Sequence, residues 1–559
     1  MTKPCNIAAA LPGIAAERPD AVAIRCPGGT RTDGRVEYDV ALSYRELDYR
    51  SDRIAAALAR IGIVRGTRTA LMVRPSPELF LLMFALFKAG AVPVLIDPGI
   101  SRRALKQCLD EAAPEAFIGI PLAQAARVLL GWARRSVRIV VTVGRRWFWG
   151  GYTLDRVLTQ HADAPFALAA TQPDEVAAIL FTSGSTGVPK GVTYRHRHFV
   201  AQVEMLREAF GIEPGGVDLP TFPPFALFDP ALGLTSVIPD MDPTRPAQAD
   251  PRKLIDAIER YGVSQMFGSP ALLDTLSRYG ERHGTRLPSL RRVLSAGAPV
   301  PPAVVARMQA MLPDDAQIWT PYGATECLPV AIIEGRELRA TREATEAGAG
   351  TCVGRPVARN CVRIIHIDDA PLPAWHEALV AAPGAVGEIT VAGPSATDEY
   401  FRRPAASALA KIPERLPDGT QRVVHRMGDL GYFDAEGRLW FCGRKTQRVE
   451  TPDGALYTEQ VEPVFNTHAE VKRTALVGVG ARGAQRAVLC VELERGVPDS
   501  ARERIEAELL NLGARLPHTA RIQTVRFHPG FPVDIRHNAK IGREQLARWA
   551  TGRLGERSA

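Results

Sequence analysis

Apolar and polar positions along the chain fall into two alternating textures. Segments with the spacing of an amphipathic helix, such as YRELDYRSDRIAAALARIG from Tyr44, precede short apolar runs such as TALMV from Thr69. The most apolar stretch, LFLLMFALFKAG from Leu79, stops at Lys88, too short to span a bilayer, and reads as a buried helix feeding the strand AVPVLI. The rhythm recurs with VAAILF (176–181), the helix HRHFVAQVEMLREAF (196–210), and the strands VSQMFG (263–268) and RRVLSAG (291–297). Such alternation predicts an α/β fold with largely parallel sheets.

From about Gly387 the texture changes to short β runs, GEITVAG and GRLWFCG. Beyond Gly443 come two strand patterns, TALVGV and AVLCVEL, an amphipathic ARERIEAELLNLGARL and a last helix, REQLARWATG. A hinge near residues 443–447 therefore divides a large N-terminal domain, 1–443, from a small α+β domain, 444–559.

Composition narrows the class. The 559 residues exceed one ordinary core, and 46% hydrophobic with 23% charged residues is the balance of a soluble globular enzyme. The net charge of +8 comes without a basic block or an RNA-binding signature, so no nucleic-acid partner is expected. Eight scattered cysteines without a C-x-x-C pair predict neither a zinc site nor a disulfide framework. The broken apolar patch at the start predicts no signal peptide, and a cytoplasmic location is expected.

Five stretches carry chemistry. FTSGSTGVPKG (181–191) follows the strand VAAILF; its hydroxyls and glycines, Thr182, Ser183, Gly184, Ser185, Thr186 and Gly187, suit polyphosphate, and Lys190 adds charge. It is not a kinase-type P-loop, which needs glycine directly before the lysine and a hydroxyl after it; here Pro189 and Gly191 hold those places. In PYGATE (321–326) a Tyr322 ring beside Gly323 can stack on a base, Thr325 can bond a phosphate, and Glu326 can hold Mg²⁺. SAGAP (295–299) offers Gly297 and Ala298, small enough for a flat ring to approach the backbone. Asp429 in RMGDLGYFD suits two ribose hydroxyls, and Arg444 can reach the same nucleotide. Lys540 precedes the last helix. Taken singly, each stretch also fits an ordinary turn, cap or solvated charge.

In this order and at these separations the stretches resemble the adenylate-forming superfamily of acyl-CoA synthetases, adenylation domains and luciferases. The likeness runs nearly end to end and includes LSYREL (42–47) and GAVPVLIDP (90–98). It implies that the loop 182–190 clamps ATP phosphates, that Gly297, Ala298 and Tyr322 sandwich adenine, and that Asp429 holds the ribose, assisted by Arg444. It further implies Thr325 on the α-phosphate, Glu326 on Mg²⁺, and Lys540, carried in by the small lid domain, bridging substrate carboxylate and α-phosphate. A carboxylate attacking phosphorus gathers negative charge, which such a cation offsets.

Two departures bear on the second half-reaction. In GRKTQRVE (443–450), Thr446 and Glu450 occupy places where the superfamily's CoA ligases carry Asp and Lys. The acyl gate TFPPFALFDPALG (221–233) lacks the usual histidine and offers Phe225 and Phe228 to an acyl chain. Both blocks are similar to the β-lactone synthetases of bacterial long-chain olefin biosynthesis. That likeness implies ATP-dependent adenylation of a 2-alkyl-3-hydroxy fatty acid, then closure by its own β-hydroxyl, with no need for CoA. A long-chain fatty-acyl-CoA synthetase, a carrier-protein adenylation domain and a non-catalytic acyl-binding scaffold stay open here. WARRSVRIVVTVGRRWFWGG (132–151) reads as a strand with solvated charges and a packed turn, or as a docking surface for a pathway enzyme or a membrane.

Overall fold

The computed structural model describes residues 5–97, 99–161, 166–182, 189–533 and 541–553, with His161 and Thr182 as backbone only. The helix Tyr44–Arg60 starts where Ser43 and Glu46 satisfy each other's backbone N–H groups, a reciprocal cap worth about 1 kcal/mol. Its apolar face, including Leu47, Ile54 and Leu58, meets the helix Pro77–Lys88, which is apolar all round and buried from Phe80 to Lys88. Lys88 is itself only 1% exposed, because its ammonium lies 2.6 Å from Asp48 Oδ1 and 2.7 Å from Asp52 Oδ1 of the neighbouring helix. An unpaired lysine could not sit there.

A seven-stranded sheet orders Lys190–Arg195, Val176–Thr182, Val92–Ile96, Arg68–Met72, Ala116–Gly119, Ile139–Thr142 and Tyr152–Thr153. All its neighbours run parallel except the first pair, as the helix–strand rhythm predicts. A second, larger sheet is parallel from Val22–Cys26 through Thr235–Val237 and on to Gln317–Ala324. From there it continues antiparallel through Cys327–Glu334, Thr351–Pro356, Leu439–Arg444 and Gln421–Phe433. The change has a local cause: the turn after Ala324 has two residues, and so short a link joins only antiparallel strands.

Leu439–Arg444 is the last strand of the large sheet. After it the chain builds a three-stranded sheet of Val471–Val479, Arg486–Leu493 and Val525–Phe527. The helices Thr458–Phe465 and Arg502–Gly513 close a core on this sheet, with Val461, Leu476, Leu489 and Leu509 fully buried in it. No helix among the described residues is long and apolar enough to cross a membrane.

Candidate active site

Thr325 and Glu326 are the two-residue turn of the hairpin formed by Gln317–Ala324 and Cys327–Glu334. Gly323 precedes the turn; a Cβ there would come within 2.7 Å of the Cys327 carbonyl oxygen, so no side chain fits. The turn is clamped from three directions. The Tyr194 hydroxyl donates to the Thr325 carbonyl, and Thr397 donates its N–H (2.8 Å) and hydroxyl (3.1 Å) to the Glu326 carbonyl. The Tyr400 hydroxyl donates to Glu326 Oε1 at 2.5 Å.

Positive charge surrounds that tyrosine. The Lys190 ammonium lies 4.9 Å and that of Lys411 5.9 Å from the Tyr400 ring centroid. Lys411 is buried and donates to Thr397; burial pulls it down to about 8, with Glu326 working in the opposite direction.

Asp429 and Arg444 face each other on adjacent antiparallel strands. Arg444 Nη1 lies 2.8 Å from Asp429 Oδ1, and the Tyr322 hydroxyl donates to Oδ2 at 2.7 Å. Oδ1 is buried without an aligned hydrogen-bond donor, which leaves lone pairs for a ligand hydroxyl. Burial pushes the Asp429 carboxyl up while Arg444 opposes, and burial beside Asp429 keeps the Tyr322 hydroxyl protonated as a donor.

These groups open on a cleft of about 520 Å³, within the range of small-molecule sites. Gly297, Ala298, Tyr322, Gly323, Asp429 and Arg444 line it, together with Thr458, Glu459 and Arg543 of the C-terminal region. Gly297 adopts φ +96°, and the buried Ser295 hydroxyl beside it lacks a partner among the described residues. Glu459 accepts a hydrogen bond from Thr351 Oγ1 at 2.8 Å, and burial together with Glu462 pushes it up to about 7. Val533 and Ile541, which flank residues 534–540, pair in a β-bridge and line the same cleft.

The expected acyl gate is aromatic, but its two rings have different neighbours. Phe225 sits edge-on to Phe222 (5.2 Å) and Phe267 (4.5 Å). Phe228 lies 6.2 Å from Phe199, whose ring stacks at 4.6 Å on the Tyr194 that holds Thr325. A continuous aromatic wall thus runs from the gate to the turn. Behind it Asp218 and Asp229 are both buried, and Asp229 accepts from Ser236 at 2.5 Å; burial pushes both carboxyls up, Asp229 to about 6.

Ser183, Gly184, Ser185, Thr186, Gly187 and Lys540 lie outside the described residues, as does the Thr182 side chain. The remaining expected site residues fall into three adjoining groups: the cleft wall, the Thr325–Glu326 turn with Lys190 beyond Tyr400, and the gate. Sequence reasoning missed Tyr194, Tyr400, Lys411 and Glu459. TDEYF (397–401), which holds Tyr400, carries no pattern pointing to Glu326, from which it is separated by 74 residues.

The donor chemistry fits the groups that the fold implies. A buried, part-unsatisfied carboxylate beside a tyrosine and a glycine-lined wall suits a nucleoside, and the oxygens of the Glu326 turn suit a hard cation.

Residues 13–401 match the family model for AMP-binding enzymes. The olefin beta-lactone synthetase of Xanthomonas campestris pv. campestris is 70% identical over 550 residues, 98% of each chain. That of Stenotrophomonas maltophilia is 68% identical over 559 residues, the full length of both chains. Among solved structures, the amide bond synthetase McbA from Marinactinospora thermotolerans superposes with a TM-score of 0.75 at 24% identity, over 97% of this chain and 99% of its own. The anthranilate CoA ligase AuaEII in complex with anthranoyl-AMP gives 0.77 at 18%, over 99% and 98%. At these identities the solved structures establish the fold. The chain is an AMP-forming ligase that belongs to the AMP-binding enzyme family and, within it, to the olefin β-lactone synthetases.

Proposed function

We propose that the protein converts a long-chain 2-alkyl-3-hydroxy fatty acid, ATP-dependently and without CoA, into a β-lactone in long-chain olefin biosynthesis. The observation that carries the reading is the full-length likeness, at 70% and 68% identity, to two olefin β-lactone synthetases. Adenine lies against Gly297, Ala298 and Tyr322, and the ribose hydroxyls bond Asp429, where Arg444 opposes the upward push of burial on the carboxyl. The loop 182–187 and Lys190 take the phosphates. Glu326, beside Thr325, would hold Mg²⁺, which when bound neutralises phosphate charge.

In the first step a carboxylate oxygen bonds to the α-phosphorus and the bond to pyrophosphate breaks. Lys540, in the role that the resemblance gives it, bridges carboxylate and phosphate. In the second step the substrate's β-hydroxyl oxygen bonds to the acyl carbon and loses its proton. AMP leaves with one former carboxylate oxygen, and a four-membered lactone remains. The attacking oxygen is already tethered beside the carbonyl, an advantage no external thiol has. The aromatic gate around Phe225 and Phe228 receives the alkyl chains and limits water, whose attack would waste the adenylate.

Independence from CoA draws on the hinge. Glu450, at the place of the ligases' lysine, is occupied by Arg448 at 2.8 Å and Arg482 at 2.9 Å, and the nearby Lys445 is held by Glu388 at 2.9 Å. Incubation with ATP, Mg²⁺ and a 2-alkyl-3-hydroxy acid, followed by NMR, tests the reading. A β-lactone formed without CoA supports it; a strict CoA requirement with a thioester product contradicts it.

A further inference from the structure

Seven of the twelve exposed large hydrophobic side chains among the described residues fall between Leu122 and Tyr152. The same stretch holds six arginines and no aspartate or glutamate, a local charge of +6 against +8 for the whole chain. Single exposed apolar residues are ordinary, whereas seven within one stretch point to a contact role.

The structure shows how the tip of this surface is held. Residues 143–151 link Ile139–Thr142 to Tyr152–Thr153, the free edge of the seven-stranded sheet. Trp149 turns inward and donates its indole N–H to Thr142 Oγ1 at 2.9 Å. Phe148 and Trp147 pack on that buried ring at 5.0 and 5.4 Å, yet remain 67% and 53% exposed. Gly151 (φ +90°) closes the loop where a Cβ would lie 2.4 Å from the Val140 carbonyl oxygen, and Arg146 Nη1 donates to the Gly151 carbonyl at 2.5 Å. Two rings are thus presented outward on a fixed base, directly after the exposed Arg145 and Arg146.

We propose that this face docks on an anionic lipid bilayer, with Trp147 and Phe148 entering the interfacial zone and Arg145 and Arg146 meeting lipid phosphates. An acidic protein face would match the charge, but it would have to supply a cavity for two projecting rings. The bilayer interface takes aromatic rings without one. Arginines in a stretch that holds no acid match a surface that is negative throughout. The inference goes beyond the catalytic reading and does not depend on which acid is the substrate.

The test is flotation of the full-length protein, without ATP or substrate, with vesicles of phosphatidylcholine alone or mixed with phosphatidylglycerol. Flotation only with the anionic vesicles, weakened by salt, is expected. The double variant Arg145→Glu/Arg146→Glu lowers binding at least about tenfold, and Trp147→Ser/Phe148→Ser lowers it as well, each with an unchanged thermal melt. Absence of flotation, equal flotation with neutral vesicles, or undiminished binding by either folded variant overturns the proposal. So does a wild-type protein that ignores vesicles and binds an acidic protein through these same residues.

Discussion

The Tyr322 hydroxyl donates to Asp429 Oδ2 at 2.7 Å, which ties the expected adenine platform to the expected ribose carboxylate. The bond fixes both groups before a nucleotide arrives. Tyr322→Phe removes a hydrogen bond to a charged group, worth about 2 kcal/mol, and is expected to weaken ATP binding about tenfold or more. Asp429→Ala removes the carboxylate itself and costs about a hundredfold or more. Calorimetric titration with ATP checks both; unchanged affinity in Asp429→Ala removes Asp429 from the nucleotide site.

Tyr400 holds Glu326 Oε1 at 2.5 Å, and the same ring receives the Lys190 ammonium. Tyr400→Phe is expected to loosen the cation-binding turn, raising the Mg²⁺ concentration for half-maximal AMP release about fivefold. A Mg²⁺ titration of steady-state AMP release is the check. A lowered maximal rate with an unchanged Mg²⁺ midpoint would assign Tyr400 to another task.

Glu459 gives the cleft a pH dependence of known sign. Its folded value, raised to about 7 by burial and Glu462, makes it neutral below and anionic above that pH. A raised carboxyl stabilises the fold below its unfolded value near 4.5, and this contribution is lost as pH rises through 7. The emerging anion faces the cleft where the negatively charged nucleotide is expected. ATP affinity is therefore expected to fall between about pH 6 and pH 8, and Glu459→Gln to flatten that fall. Identical pH profiles for the two proteins would count against the assignment.

What the sequence made legible was local. The helix Pro77–Lys88 followed by the strand Val92–Ile96 shows in an apolar run, and Tyr322, Gly323, Asp429 and Arg444 sit in short motifs that converge on one cleft. What stayed hidden depends on distant partners. Lys88 looks like the polar end of an apolar run until the helix carrying Asp48 and Asp52 is laid against it. Tyr400 and Lys411 acquire meaning only when the strand Lys190–Arg195 and the Thr325–Glu326 turn approach them. Glu459 reads as one of two acids in TEQVE until burial shifts it. Hydrophobic period and motif spacing report on a segment; pairing across 40 or 74 residues does not show in either.

Lys540→Ala separates binding from chemistry. The resemblance gives this lysine the developing charge on the α-phosphate and no part in holding adenosine. The variant is expected to bind ATP within about twofold of the wild type while losing roughly a hundredfold or more of its AMP-forming rate. Undiminished turnover would remove Lys540 from the first step.

In the proposed reaction the carboxylate is activated and the β-hydroxyl attacks. A substrate carrying ¹⁸O only in its β-hydroxyl tests this directly, with the lactone and AMP analysed by mass spectrometry after turnover without CoA. The label is expected to stay in the lactone ring, with AMP unlabelled. Label appearing in AMP would mean that the hydroxyl was activated instead, and would contradict the proposed reaction.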